Sequence, residues 1–391
     1  VKRRQYRCGA ALLTVTLACG LLTSPAVSTP AIAETPAAPA APSPRGRWLA
    51  IGDSISSGFG IPYLSPVKTP WGQNCRRADG VDVEIPADTP ALAWPVVAFR
   101  QLRKQGAVAD LSFTACSGSI TDDWLRQTAE AYTRAGVELP SLVGATSTPD
   151  PERVSAEIAA AGKRGQRWDL VSFSFGANNI NLGKVTETCL NVDRSDTPMT
   201  WTSPRWGRCR EEVAALDPQI AALTGGPEAG ELAQGSVPLW RSPAQGASVI
   251  AQLAGITEPG GTILVHGYPQ LFADPQHVVT AQGTASAELV AEVGNCDGMA
   301  FEDIVQIRSA ITELNTRTKA AVKQASSVLR SRNVRVVFID PNDVFEPEDG
   351  LQHGLCSKQS WVNGPFSPGA LHPNGEGHQA MGEEVARALT P

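Results

Sequence analysis

Residues 48–58 read Trp48-Leu49-Ala50-Ile51-Gly52-Asp53-Ser54-Ile55-Ser56-Ser57-Gly58. Four apolar residues run straight into a glycine, a carboxylate and a serine. A short apolar run bounded by turn residues has the character of a buried parallel strand. Gly52-Asp53-Ser54 then stands at the carboxyl edge of the sheet, where open α/β folds place ligands. Working outward, similar runs occur at Leu111–Phe113, Leu170–Phe175, Thr262–Gly267 and Val334–Ile339. Helical patterns separate them. Pro90–Lys104 follows a cap at Asp88-Thr89, and Glu152–Ala161 precedes the third strand. Phe301–Arg330 repeats Ile304, Ile307, Ile311, Leu314 and Val322 on one face, and Gly375–Leu389 closes the chain as an amphipathic helix. This alternation predicts a central parallel sheet covered by helices on both sides, a three-layer α/β/α sandwich over residues 47–391.

Residues 181–245 interrupt the rhythm with many Pro and Gly and with Trp201, Trp206 and Trp240. We read them as an insertion held by Cys189 and Cys209. A tryptophan-rich insertion can serve as a lid or a substrate wall, but a packed surface excursion is the expectation.

The chain has 391 residues, with Lys+Arg 33 against Asp+Glu 39 and a net charge of −6. A hydrophobic fraction of 42% with 18% charged residues excludes disorder of the whole chain. Lys2, Arg3, Arg4 and Arg7 precede the apolar run Ala10 to Leu22, and Ala31-Ile32-Ala33 forms a small-x-small site. That pattern predicts a secretory signal over 1–33, followed by an Ala/Pro-rich linker over 34–46. Four of the 33 basic residues and none of the 39 acidic ones lie in 1–33, so the mature charge becomes −10. An acidic chain is poorly suited to nucleic acid or to an anionic membrane held by charge. Cys19 lies in Thr16-Leu17-Ala18-Cys19, with Leu one position off the lipoprotein pattern, and no lipid anchor is expected.

Cys8 and Cys19 leave with the signal, so Cys75, Cys116, Cys189, Cys209, Cys296 and Cys356 remain. An even number in an exported chain suggests three disulfides, with the pairing open. No C-x₂-C or H-x₃-H cluster occurs, and neither a metal nor a cofactor is expected.

Three further segments belong with Gly52-Asp53-Ser54. They are Ala115-Cys116-Ser117-Gly118-Ser119, Phe175-Gly176-Ala177-Asn178-Asn179 and Leu371-His372-Pro373-Asn374-Gly375. Each follows a strand or introduces a helix, so all should meet on one rim. They offer a nucleophile, a glycine N–H, an amide side chain and an imidazole. The G-x-S-x-G elbow of α/β-hydrolases is absent.

These motifs, in this order, resemble the SGNH family of GDSL-type serine esterases and lipases. The resemblance spans nearly the whole mature chain and implies a flavodoxin-like α/β/α fold. By position, Ser54 matches the nucleophile and His372 the general base. The N–H groups of Ser54 and Gly118 and the side-chain amide of Asn178 match the oxyanion hole. Val265-His266-Gly267-Tyr268-Pro269 and the six mature cysteines look most like the secreted actinobacterial branch. The pairing usual there implies Cys75–Cys116, Cys189–Cys209 and Cys296–Cys356. In such chemistry a base with a pKa of about 6.5 takes the serine proton, and each oxyanion donor contributes on the order of 3 kcal/mol.

Two positions depart from the family. Gly369 stands where an Asp three residues before the histidine is common. The resemblance to the dyad-type branch implies that the Gly369 carbonyl orients His372, with Asp340 a conceivable substitute from elsewhere. Gly-Ala-Asn-Asn replaces Gly-Gly-Asn-Asp, leaving Asn178 in place. The expected activity is a secreted serine hydrolase acting as a monomer on acyl esters such as lipids. A carbohydrate acetylesterase and a non-catalytic secreted binding protein are the rivals.

The remaining candidates have blander readings. Asp53 is expected to order its turn, His266 to be a satisfied core histidine, and His378 to cap a helix or lie at the surface. His277 and His353 carry no signal. Asp340, Asp343, Glu346, Glu348 and Asp349 read as a solvated acidic loop, since they lack calcium-loop spacing. Asn315-Thr316-Arg317 is no glycosylation acceptor.

Overall fold

The computed structural model of the protein describes residues 46–61, 64–68, 74–78, 92–142, 150–189, 192–193, 200–201, 208–226, 236–275, 301–348, 350–365, 367 and 369–390. The signal, residues 34–45 of the linker, the Asp88-Thr89 cap, His277 and Cys296 lie outside these residues.

Five parallel strands form one sheet: β1 Arg47–Ala50, β2 Asp110–Phe113, β3 Trp168–Phe173, β4 Thr257–His266 and β5 Arg335–Ile339. Their order is β2-β1-β3-β4-β5. Ala50 pairs with Phe113 on one side and Ser172 on the other, and Val265 pairs with Phe338. The central strands β1, β3 and β4 are buried along most of their length, which explains their apolar character, while the edge strands β2 and β5 are partly exposed. The serine inside β3, Ser172, accepts from the Trp48 indole N–H at 2.8 Å.

The helices are α1 Ser54–Ser57, α2 Trp94–Lys104, α3 Asp123–Arg134, α4 Pro151–Lys163, α5 Leu182–Cys189, α6 Arg208–Ala214 and α7 Leu216–Thr224. After them come α8 Val249–Leu253, α9 Phe301–Leu329, α10 Asn342–Phe345 and α11 Gly375–Leu389. They complete the three-layer α/β/α sandwich. Asp150 caps α4 by accepting from Glu152 N–H, and Asn374 caps α11 by accepting from Gly377 N–H at 3.1 Å. Helix α9 ends in a 3₁₀ turn, Arg330–Arg332, closed by Asn333 at φ 54. Helix α2 begins later than Pro90, with Pro95 in its first turn and Ala93 at the cap position. Within 181–245 the Cys189–Cys209 disulfide joins α5 to α6, and Trp240 is buried. The side chains of Trp201 and Trp206 lie outside the described residues. Among the described residues no helix is long and apolar enough to cross a membrane.

The strand order has a functional consequence. Strand β1 has neighbours on both sides, and the chain winds outward from it in opposite directions. The carboxyl end of β1 is therefore the crevice where loops from β1, β2 and β3 lie side by side.

Candidate active site

Strand β1 ends at Ala50, and the turn beyond it is built for close packing. Gly52 has φ 133, and a Cβ there would fall 2.6 Å from Ser56 Oγ. Asp53 caps the short helix α1 by accepting from Ile55 N–H at 3.0 Å, which leaves Ser54 as its first residue. Gly58, at φ 82, closes the helix by donating its N–H to the Ser54 carbonyl.

His372 reaches Ser54 from the other end of the chain. Its Nε2 lies 2.9 Å from Ser54 Oγ, and its Nδ1 lies 2.8 Å from the Ala370 carbonyl. A carbonyl can only accept, so Nδ1 carries the proton and Nε2 offers its lone pair to the serine O–H. The orienting group is therefore the carbonyl of Ala370 and not that of Gly369. The Gly369 carbonyl is taken by the His372 main-chain N–H at 3.1 Å, closing a tight turn. Phe59 packs edge-on against the imidazole, with ring centroids 4.7 Å apart. Asn363 donates to the carbonyls of Gly60 and His372 at 2.7 and 3.2 Å, tying the two loops together. Asp340 is engaged elsewhere, accepting from the N–H and side-chain amide of Asn342 at 3.1 and 2.9 Å.

The expected oxyanion donors come from the two neighbouring strands. Gly118 sits at φ 84 in the exposed turn after β2. Among the described residues neither its N–H nor that of Ser54 meets an acceptor. Asn178 spends one amide N–H on the Ser119 carbonyl at 2.8 Å and keeps the second. Asn179 braces the same loop, accepting from Thr121 N–H at 3.1 Å and donating to its hydroxyl at 2.9 Å. Cys116 is disulfide-bonded to Cys75, which ties this loop to the hairpin Leu64–Lys68 with Asn74–Ala78. The hairpin is anchored further by Arg77, whose buried guanidinium pairs with Glu130 and donates to the Phe113 carbonyl at 3.0 Å. Cys356 is also disulfide-bonded.

Under the serine lies a buried polar network. Asp53 accepts from the hydroxyls of Ser174 and Tyr268 as well as from Ile55 N–H. Burial pushes its carboxyl up to about 6, against the pull of these donors. Tyr268 accepts from Ala177 N–H at 3.0 Å, and burial beside the Asp53 charge keeps its phenol protonated. Asn315 grips the Tyr268 main chain on both sides, at 2.9 and 2.7 Å. Asp53 thus orders its turn, as expected, and also couples it to the turn carrying Asn178.

Of the other described histidines, none is bonded to Ser54, and His378 lies behind the site with its Nε2 at 3.4 Å from the Phe59 carbonyl. His266 is buried and stacks on Trp94, with its Nδ1 at 2.8 Å from the Gly267 carbonyl, but its Nε2 has no partner among the described residues. It is only half satisfied. His378 is fully buried rather than at the surface, because α11 packs that face inward. Burial lowers the two pKa values to about 4 and about 3, so both rings are neutral. His353 stacks on Trp361. Glu346 pairs with Arg308, and among the described residues no cluster of His, Cys, Asp or Glu is arranged to hold a metal.

Ser54, Asn178 and His372 line a cleft of ≈ 600 Å³ including its open mouth. Its walls are mainly apolar, from Ile55, Leu271, Ile311 and Leu371, together with Leu182 of α5, with Thr186 and Tyr268 among the polar groups. The first helix of the 181–245 segment therefore forms one side of the cleft.

No protein-family model matches the chain, nor does the sequence of any curated protein. Solved structures do. The extracellular lipase of Streptomyces rimosus is 17% identical, with a TM-score of 0.48 over 88% of this chain and 100% of that one. The M. smegmatis aryl esterase is 15% identical, with a TM-score of 0.30 over 88% and 100% of the two chains. Est24, a carbohydrate acetylesterase from Sinorhizobium meliloti, is 14% identical, with a TM-score of 0.29 over 88% and 98%.

Proposed function

We propose that the protein is a secreted serine hydrolase of the SGNH type that cleaves carboxylic esters through an acyl-enzyme on Ser54. The observation that carries this reading is the relay Ser54 Oγ to His372 Nε2 at 2.9 Å, with Nδ1 held by a carbonyl at 2.8 Å. A serine is a weak nucleophile until a base accepts its proton, and this tautomer presents the base. Attack on the ester carbon moves the proton to Nε2 and the negative charge onto the carbonyl oxygen. The N–H groups of Ser54 and Gly118 and the second amide N–H of Asn178 receive that charge. Collapse expels the alcohol, which takes the proton from Nε2. Water then attacks the acyl-enzyme by the same route in reverse.

The Ala370 carbonyl fixes tautomer and orientation but supplies no countercharge to the imidazolium. The apolar cleft beside Ser54 favours an acyl chain over a sugar. Export is supported by the signal-like N-terminus and the disulfides.

Hydrolysis of p-nitrophenyl esters from acetate to palmitate, by wild type and Ser54→Ala, tests the proposal. Activity that extends to longer chains and vanishes in the variant supports it. Activity on acetate alone turns the reading to an acetylesterase, and none at any length turns it to a binding protein.

A further inference from the structure

The serine turn and the Gly118 loop leave different strands, and one side chain spans them. Gln127, on α3, is only 4% exposed. Its Oε1 accepts from Gly52 N–H at 2.6 Å, and its Nε2 donates to the Gly52 carbonyl at 2.8 Å and the Ser119 hydroxyl at 2.9 Å. Both amide donors and the acceptor are therefore used. Ser119 passes the connection on, since its carbonyl accepts from Asn178 Nδ2 at 2.8 Å. The chain Gly52–Gln127–Ser119–Asn178 thus begins two residues before the nucleophile, touches the residue after Gly118 and ends on the third oxyanion donor. Gly52 has no side chain of its own to take part, and its φ of 133 admits none without strain.

We infer that Gln127 is a positioning residue that sets the spacing between Ser54 and the donors Gly118 and Asn178; the inference rests on the serine-esterase reading above. Gln127 touches no reacting atom. It acts by holding two main-chain segments whose separation decides whether the donors lie at roughly 2.7–3.1 Å from the developing oxyanion. A misplacement of about 1 Å in such an array costs about 100-fold in rate. Gln127 is not among the walls of the substrate cleft. Its loss should therefore fall on kcat rather than on KM.

The test compares wild type with Gln127→Leu, which removes all three bonds, and Gln127→Glu, which as carboxylate keeps the bond from Gly52 N–H, can accept from the Ser119 hydroxyl and loses the donor to the Gly52 carbonyl. Folding is checked by circular dichroism, and active sites are counted with an organophosphonate. Kinetics on p-nitrophenyl esters are then measured well below the melting temperature. We expect kcat per titrated site to fall about 10- to 100-fold, with KM within about twofold. The phosphonylation rate should fall in parallel, because it uses the same donors. In Gln127→Glu the new carboxyl, once protonated, regains a donor toward the Gly52 carbonyl, so activity of that variant relative to wild type should rise as pH is lowered. If Gln127→Leu does not fold, Gln127→Glu carries both readouts. Unchanged kcat per site in folded variants overturns the positioning role and leaves the hydrolase reading standing. Loss of fold in both variants overturns it too, since the amide then serves the fold. A wild type that neither hydrolyses esters nor takes the phosphonate overturns the hydrolase reading itself, and the role with it.

Discussion

A side chain on Gly369 would run into Gly60: its Cβ would lie 2.5 Å from Gly60 Cα and 2.9 Å from Gly60 N, on a backbone at φ 76. A Cβ on Gly60 would in turn stand 2.2 Å from the Pro373 carbonyl and 3.0 Å from His372 Cβ. The two loops meet glycine to glycine, and that approach lets His372 reach Ser54. The missing carboxylate at 369 is thus tied to the packing. Gly369→Asp should add no activity. We expect a loss of about 1–3 kcal/mol in stability and a lower kcat, read by thermal melts and ester hydrolysis.

Asp340 is held by Asn342, and His372 Nδ1 by Ala370. Asp340→Asn should therefore change kcat less than about threefold. A loss near 10⁴-fold, roughly what a mis-set tautomer costs, would instead make Asp340 the partner of His372.

Much of this was legible in the chain. The strands stood out as short apolar runs, continuous where the centre of the sheet buries them, and residues just past them must gather at one sheet edge. Helix α3 is amphipathic, but that Gln127, Thr128 and Glu130 are buried on it beside Trp124 and Tyr132 is a matter of the fold and not of the pattern. Glu130 is buried with two cations paired to it, Arg134 one turn on and Arg77, 53 residues away. The bond from Tyr268 to Asp53 spans 215 residues and depends on the fold. The orienting carbonyl was misplaced by one residue, since turn geometry and not spacing decides which oxygen faces Nδ1.

His266 and His378 are buried and neutral, with folded pKa values of about 4 and 3 against a reference of 6.5. Below pH 6.5 the unfolded chain binds protons that the folded one refuses, so this contribution is complete above pH 6.5 and fades as pH falls. Asp53 works the other way: its raised pKa of about 6 favours the fold at low pH, and that contribution fades as pH rises from 3.8 toward 6. Comparison with His266→Phe cancels the shared groups. Relative to that variant, wild type should lose about 1.4 kcal/mol per pH unit from pH 6.5 down to about 4, read by denaturant unfolding. Parallel pH profiles would contradict this.

Cysteine pairing is checked by peptide mapping without reductant. We expect Cys75–Cys116 and Cys189–Cys209, a third bond from Cys356 to Cys296, and no free thiol in the mature chain. A free thiol at Cys296 would contradict the third pairing.

Covalent labelling reports on the nucleophile itself. Wild type, Ser54→Ala and His372→Ala are treated with an organophosphonate, and the adduct is located by mass spectrometry. We expect one adduct per chain on Ser54, none in Ser54→Ala, and labelling slowed roughly 10³-fold or more in His372→Ala. Undiminished labelling or ester hydrolysis in Ser54→Ala would contradict Ser54 as the nucleophile.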